Sequence, residues 1–253
     1  MSKIALITGA TAGFGEAISH EFAKNGYNII ITGRRLDRLI SLKRKIENKY
    51  NNEVTFLNFD VRNLEETKKQ IASLSGKWKK IDVLVNNAGL ASGMSPIQDG
   101  DIDDWDKMID TNIKGLLYVT RCIAPLMIKN KKGHIINIAS IAGKEVYANG
   151  NVYCTSKHAV AALTKAMRID LLPFAIRVTD ISPGMADTEF SIVRFHGDSA
   201  KAKNVYKGFQ PLKAADIADA VYYAASRPAH VNISEIVVMP LAQANAGTVL
   251  RKS

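Results

Sequence analysis

The chain has 253 residues, with 34 lysines and arginines against 24 aspartates and glutamates, for a formal charge of +10. That length is ample for a buried core and fits one large α/β domain or two small ones. An apolar content of 47% with 23% charged residues excludes a disordered or collagen-like chain. Two cysteines, Cys122 and Cys154, are too few for a disulfide framework, which points to a reducing cytoplasm, and no apolar run approaches the roughly 18 residues of a membrane-spanning helix.

Residues 4–8 form a short apolar run that stops at a glycine, which reads as a first strand and not as a signal peptide. Further strands are expected at 28–32, 54–59, 81–86, 134–139, 176–181 and 235–239. Several are continuously apolar, as strands buried on both faces must be. Helical periodicity occupies 13–25, 104–129 and 152–172. In the second of these, Trp105, Met108, Ile109, Asn112, Leu116 and Ile123 fall on one stripe. Alternating strands and helices predict an α/β fold, a parallel sheet with helices on both faces joined by right-handed crossovers. Such a sheet binds ligands beyond the carboxyl ends of its strands.

The first strand ends in Thr8-Gly9-Ala10-Thr11-Ala12-Gly13-Phe14-Gly15, and a helical pattern follows. Glycines at a strand-to-helix turn let the backbone approach a pyrophosphate, and the helix N-terminus offers free N–H groups to it. The spacing departs from the usual Gly-x-Gly-x-x-Gly, so a purely structural turn is the competing reading. The second strand ends in Gly33-Arg34-Arg35. Two guanidiniums where an acid would hold a ribose 2′-hydroxyl suit a 2′-phosphate, and so NADP over NAD. Asp37 is the competitor for NAD, but it falls in the first turn of the next helix, where an acid is expected as a dipole partner.

Tyr153 and Lys157 are four residues apart on one helical face, in a stripe continued by Val160, Thr164, Met167 and Leu171. A tyrosine there is usually core, whereas a lysine beside it is harder to dismiss. A nearby ammonium favours the phenolate and would lower the tyrosine pKa. Ser140 stands at the carboxyl end of a strand, where a hydroxyl can bond a substrate oxygen. Asn112, polar on an apolar stripe, reads equally well as a structural amide or as a functional one.

These residues, with Asn86-Asn87-Ala88-Gly89 and Pro183-Gly184, resemble the short-chain dehydrogenase/reductase family in order and separation, from residue 3 to about residue 239. The resemblance implies one Rossmann domain over 1–253 with a doubly wound seven-stranded sheet and a tail from about 240. It implies Tyr153 as general acid/base and Ser140 as the group that positions the reacting oxygen. It implies Lys157 on the nicotinamide ribose and Asn112 holding a water in a proton relay. Asn87, Ala88 and Gly89 would line the adenine ribose, and Asp60 and Val61 the adenine. Pro183, Gly184 and the following backbone through Met185, Ala186 and Thr188 would face the nicotinamide. No metal is expected.

Longer stretches, among them TGATAGFGE, ITGRR, IDVLVNNAGLA, GHIINIAS and RVTDISPG, are similar to the NADP-dependent 3-hydroxy acid dehydrogenase subgroup. That implies oxidation of serine, allo-threonine and related 3-hydroxy acids, or reduction of malonic semialdehyde. The stretch after Pro183-Gly184 reads one residue shorter than is usual there. A small acid needs a cationic partner for its carboxylate. Arg194, in a lid-like segment at 190–195, is the first candidate, and Lys144 the second. The competing functions are a 3-oxoacyl carrier-protein reductase, a broad carbonyl reductase, and a cofactor-binding regulatory protein without turnover. The basic residues form no long tail and no aromatic-interleaved run, so neither nucleic acid nor a membrane is expected as partner. Family members are commonly tetramers or dimers, so a homotetramer is expected, with a dimer as the alternative and the two long helices packing across a subunit interface; the apolar tail after Met239 could reach a neighbouring subunit.

Overall fold

The computed structural model describes residues 2–252. Its seven strands are β1 (Ile4–Ile7), β2 (Asn28–Gly33), β3 (Val54–Asn58), β4 (Val83–Asn86), β5 (Gly133–Ile138), β6 (Ile176–Pro183) and β7 (Glu235–Val238). Every one lies within two residues of its expected bounds. They form one sheet in the order β3-β2-β1-β4-β5-β6-β7, with all neighbours parallel. Both faces are covered. On β1, Ala5 and Ile7 join one core while Ile4 and Leu6 join the other, and on β2 Ile29 and Ile31 oppose Ile30 in the same way. This alternation between two buried faces is why the strands read as unbroken apolar runs.

Helices α1 (Gly13–Lys24), α2 (Leu36–Lys49) and α3 (Leu64–Ala72) follow the first three strands. The long helix expected at 104–129 is not continuous. It divides into α4 (Ile102–Ile109), a π-helical segment (Asp110–Gly115) and α5 (Leu116–Lys129). A π turn carries an extra residue, so it shifts the phase of the stripe. Met108, Asn112, Leu116 and Ile123 are buried as expected, but Ile109 is 36% exposed. The segment lets α5 press on β3's outgoing chain, since a Cβ on Gly115 would lie 2.7 Å from a Val61 methyl. Helix α6 (Asn151–Leu171) is continuous, and α7 (Phe190–Arg194), α8 (Ser199–Asn204) and α9 (Ala214–Ser226) follow β6.

The two central strands are tied to the helices by a buried amide–hydroxyl chain. Asn86 Nδ2 on β4 donates to Thr120 Oγ1 on α5 and to Asn137 Oδ1 on β5, each at 2.9 Å. Asn137 Nδ2 donates in turn to Thr164 Oγ1 on α6 at 2.9 Å. Buried polar groups cost stability unless they are paired, so this chain fixes how α5 and α6 sit on the sheet. Asn137→Ala is therefore expected to lower the urea-unfolding free energy by roughly 2–4 kcal/mol, through lost packing and unpaired partners. A loss within measurement error would show that the chain does not act as a unit.

Candidate active site

The sheet's strand order reverses between β1 and β4, and the chain turns there under tight constraint. Gly9 leaves β1 at φ +64°, and a Cβ on it would stand 2.9 Å from Ala88 Cα. A Cβ on Gly15 would stand 2.3 Å from the Gly9 carbonyl oxygen. Thr8 Oγ1 accepts from the N–H groups of Asn87 and Ala88 at 3.0 and 2.9 Å. Asn87 Nδ2 donates back to the Thr8 and Gly9 carbonyls at 2.9 and 3.2 Å. Ala10 turns into the core, and its N–H donates to the Thr32 carbonyl at 3.0 Å.

This clasp opens a cleft of about 290 Å³ at the carboxyl ends of the strands. Thr11, Ala12, Gly13, Phe14, Arg34, Arg35, Asp60 and Val61 line it together with Asn87, Ala88, Gly89, Tyr153, Lys157 and Thr188. Arg35 donates from Nε and Nη2 to Thr11 Oγ1 at 3.2 and 2.9 Å. Arg34 is more exposed, with Nη1 3.8 Å from Asp60. Asp37 occupies the first turn of α2 and stays in solvent, as a dipole partner would.

Ser140, Tyr153 and Lys157 are all buried. Ser140 Oγ accepts from the Ala142 N–H at 3.1 Å and donates to the Pro183 carbonyl at 3.4 Å. Burial pushes the Tyr153 phenol well above its ordinary pKa, an effect that Tyr147 increases and that Ser140 and the Arg194 guanidinium counteract. The cation that counteracts the burial of the phenol is Arg194, from α7. Lys157 Nζ donates to the Ile138 carbonyl at 2.9 Å. Burial lowers its pKa to about 8, against a smaller upward pull from buried Asp180.

Asn112 sits in the π segment with both ends of its amide hydrogen-bonded. Its Oδ1 accepts from the Leu90 N–H, and its Nδ2 donates to the Leu90 carbonyl and to Ser156 Oγ, at 2.8, 2.8 and 2.9 Å. The amide therefore fastens the chain after Gly89.

Arg194, at the end of α7, lies beside Tyr153 in a smaller adjoining cavity. Its guanidinium stacks on the rings of Tyr147 and Tyr153, 5.4 and 5.6 Å from their centroids. Its Nε and Nη2 are buried without a hydrogen-bond partner. Phe190 packs on Tyr153 from the same helix. Lys144 is spent elsewhere, with Nζ 2.9 Å from Glu235 and 3.9 Å from Asp180.

The backbone after Pro183-Gly184 is anchored from behind. The Gly184 N–H donates to Val238, and the Met185 N–H donates to Gln243 Oε1 at 2.8 Å. Ala186 bridges to Leu212. Gln243 belongs to the tail, which folds back on its own chain: the Lys252 N–H donates to the Gly208 carbonyl.

Several residues escape a reading by sequence. Arg38 is one helical turn beyond Arg35, a spacing that could have exposed it. Tyr147, Ser156, Glu189 and Gln243 carry no local signal, because their partners lie far along the chain.

The depressed Lys157 pKa has a thermodynamic consequence. Between about pH 8 and 10.5 the unfolded chain holds a proton that the folded chain has released, so stability rises with pH across that window. Relative to Lys157→Met, which lacks the group, wild type should gain up to roughly 3 kcal/mol over that range in urea unfolding. A pH-independent difference would contradict the cost of burying the ammonium.

Residues 3–198 match the family described as short chain dehydrogenase. The chain is 47% identical over 251 residues to the NADP-dependent 3-hydroxy acid dehydrogenase YdfG of Salmonella typhi, spanning 99% of this chain and 100% of that one. Among solved structures, the closed form of serine dehydrogenase complexed with NADP⁺ superposes with a TM-score of 0.91 at 46% identity, over 99% of this chain and 100% of that one. Serine dehydrogenase from Escherichia coli superposes at 0.83 and 42% identity, over 95% and 99%. Likeness of that extent, on a sheet wound in this order, makes the chain a member of the short-chain dehydrogenase family.

Proposed function

We propose that this protein is an NADP-dependent oxidoreductase that interconverts a small 3-hydroxy acid and its 3-oxo acid, with serine, allo-threonine and 3-hydroxypropionate as the substrate type. The names of its relatives support the reaction class. The observation that carries the substrate class is Arg194, a cation beside the phenol with two buried N–H-bearing atoms left unpaired. An unpaired buried guanidinium is costly, and a carboxylate offers two oxygens in matching geometry. Ser140, Tyr153 and Arg194 thus make up the substrate side of the site.

The cleft fits the cofactor. The crowded backbone at Gly9 and Gly15 leaves no room for side chains. The start of α1 would face the pyrophosphate, and Arg34 and Arg35 the 2′-phosphate. Asp60 and Val61 would flank the adenine, and Asn87, Ala88 and Gly89 its ribose. Lys157 would exchange its bond to Ile138 for the nicotinamide ribose. Pro183, Gly184, Met185, Ala186 and Thr188 would back the nicotinamide, held in place by Gln243 and Val238.

When bound, the nicotinamide gives or takes the hydride. In reduction, Tyr153 donates its proton to the oxygen that becomes the alcohol, while Ser140 bonds that oxygen where charge develops. A phenol held protonated by burial suits this acid role. In oxidation Tyr153 takes the proton back, helped by the nearby Arg194 guanidinium. The small substrate acts within one dinucleotide-binding domain. Among the described residues no helix is long and apolar enough to cross a membrane. Both cysteines are free, in keeping with work in the cytoplasm. Leu117, Ile169, Leu172 and Phe174, exposed on and just beyond α5 and α6, would be covered in a homotetramer.

Tyr153→Phe should bind NADPH normally while kcat falls by about 10²–10⁴-fold, and a variant that keeps most of its turnover would overturn the assignment. NADP⁺ reduction should proceed with L-serine, L-allo-threonine, 3-hydroxypropionate and 3-hydroxyisobutyrate, and poorly with alcohols lacking the carboxylate. Arg194→Ala should lower kcat/KM for serine by roughly 10²-fold. An unchanged value would exclude Arg194 as the carboxylate's partner.

A further inference from the structure

The segment that follows β6 touches both ends of the cleft. Phe190 and Arg194 cover Tyr153 at one end. Glu189, the residue before α7, reaches the other. Its Oε2 meets Arg35 Nη1 at 3.1 Å, and Arg38 Nη1 donates to both its oxygens at 2.7 and 3.0 Å. The Arg38 bond holds the Glu189 carboxyl below the usual carboxylate range, and Arg35 adds to the effect. The arginines at the end of β2 and the start of α2 are thus gripped by an oxygen anion of the chain itself. That anion comes from a residue more than 150 positions away, on the segment that covers the phenol. Asp60 makes the corresponding, longer contact with Arg34.

We propose that Glu189 is an internal competitor for the cofactor's 2′-phosphate, that Arg38 is a further arginine of that phosphate site, and that exchange of the two anions links cofactor choice to the substrate lid. A phosphate monoester brings about −1.5 to −2 charges and three acceptor oxygens, against the single charge of a carboxylate. It therefore wins the arginines, whereas a ribose bearing only a 2′-hydroxyl offers them no anion and leaves Glu189 in place. The exchange frees the residue that precedes α7, which carries Phe190 and Arg194. Discrimination for NADP over NAD then rests on more than direct attraction, because only the 2′-phosphate releases the lid's tether.

The inference rests on the proposed placement of Arg35 at the 2′-phosphate, and one set of titrations separates the two. Calorimetry with 2′,5′-ADP and with 5′-AMP is run on wild type, Glu189→Gln, Arg38→Ala and Arg35→Ala. Glu189→Gln should bind 2′,5′-ADP about three- to tenfold more tightly, in line with the modest worth of half-exposed ion pairs, and 5′-AMP unchanged. Arg38→Ala should weaken 2′,5′-ADP alone. Glu189→Gln affinity for 2′,5′-ADP equal to or below wild type would overturn the competition, as would equal tightening of both ligands. Arg35→Ala losing affinity for 2′,5′-ADP in that case would leave the cofactor placement standing, whereas no loss would bring both down. For the link to the lid, amide exchange over 190–195 should respond to 2′,5′-ADP more than to 5′-AMP in wild type, and equally to the two in Glu189→Gln. The same unequal response in both proteins would overturn the link.

Discussion

The clasp between Thr8 and Asn87 is the constraint on which the rest of the site depends. At the ends of β1 and β4 the chain departs towards opposite faces of the sheet, which opens a crevice between neighbouring parallel strands. Left to itself such a crevice would expose unpaired backbone groups. Here the Thr8 hydroxyl accepts two N–H bonds, and the Asn87 amide returns two to carbonyls of the opposite strand. The turn this enforces admits no Cβ at Gly9. The start of α1 is thereby aimed into the cleft, with its free N–H groups pointing at whatever anion enters.

Burial is the second organising force, and at the phenol end it works against charge. Tyr153, Lys157 and Asp180 are all taken out of water, and for each the neutral form gains. The amide–hydroxyl chain from Asn86 through Asn137 to Thr164 is what holds α5 and α6 in place around these costly groups. The π segment serves the same end. It turns Asn112 into a clamp on Leu90 and draws α5 close against Val61. Half-buried Arg194 places its guanidinium over two tyrosine rings, which favour a cation there.

The short segment from Ala186 to His196 connects the two ends. Its first residues bond the chain near Leu212, Glu189 holds the arginines, and Arg194 and Phe190 hold the phenol. The Gly93 N–H donates to the Arg194 carbonyl, and His196 faces buried Asp104 at 3.0 Å. A short segment held by a few polar and aromatic contacts is the kind of element that can shift between two arrangements.

Sequence by itself determined the strands and their alternation with helices, and, through the family resemblance, most residues around the cleft. The strands and the Tyr153–Lys157 pair follow from local rules: a strand buried on both faces is apolar throughout, and a helix places residues four apart on one face. Hence Tyr153 and Lys157, Arg34 and Arg35, and the glycine turn were all legible. Tertiary structure alone decided what those groups do to one another. Asn112 finds its partners, Leu90 and Ser156, 22 and 44 residues away in the chain. A cation that lies over the phenol, Arg194, comes from 41 residues further along the sequence. Lys144 pairs with Glu235 at the start of β7, two strands over from β5. Glu189 meets Arg38 across 151 residues of chain. Pairings at such separations are set by how the layers pack, and burial, which fixes the direction of the shift at Tyr153, Lys157 and Asp180, exists only once they have packed.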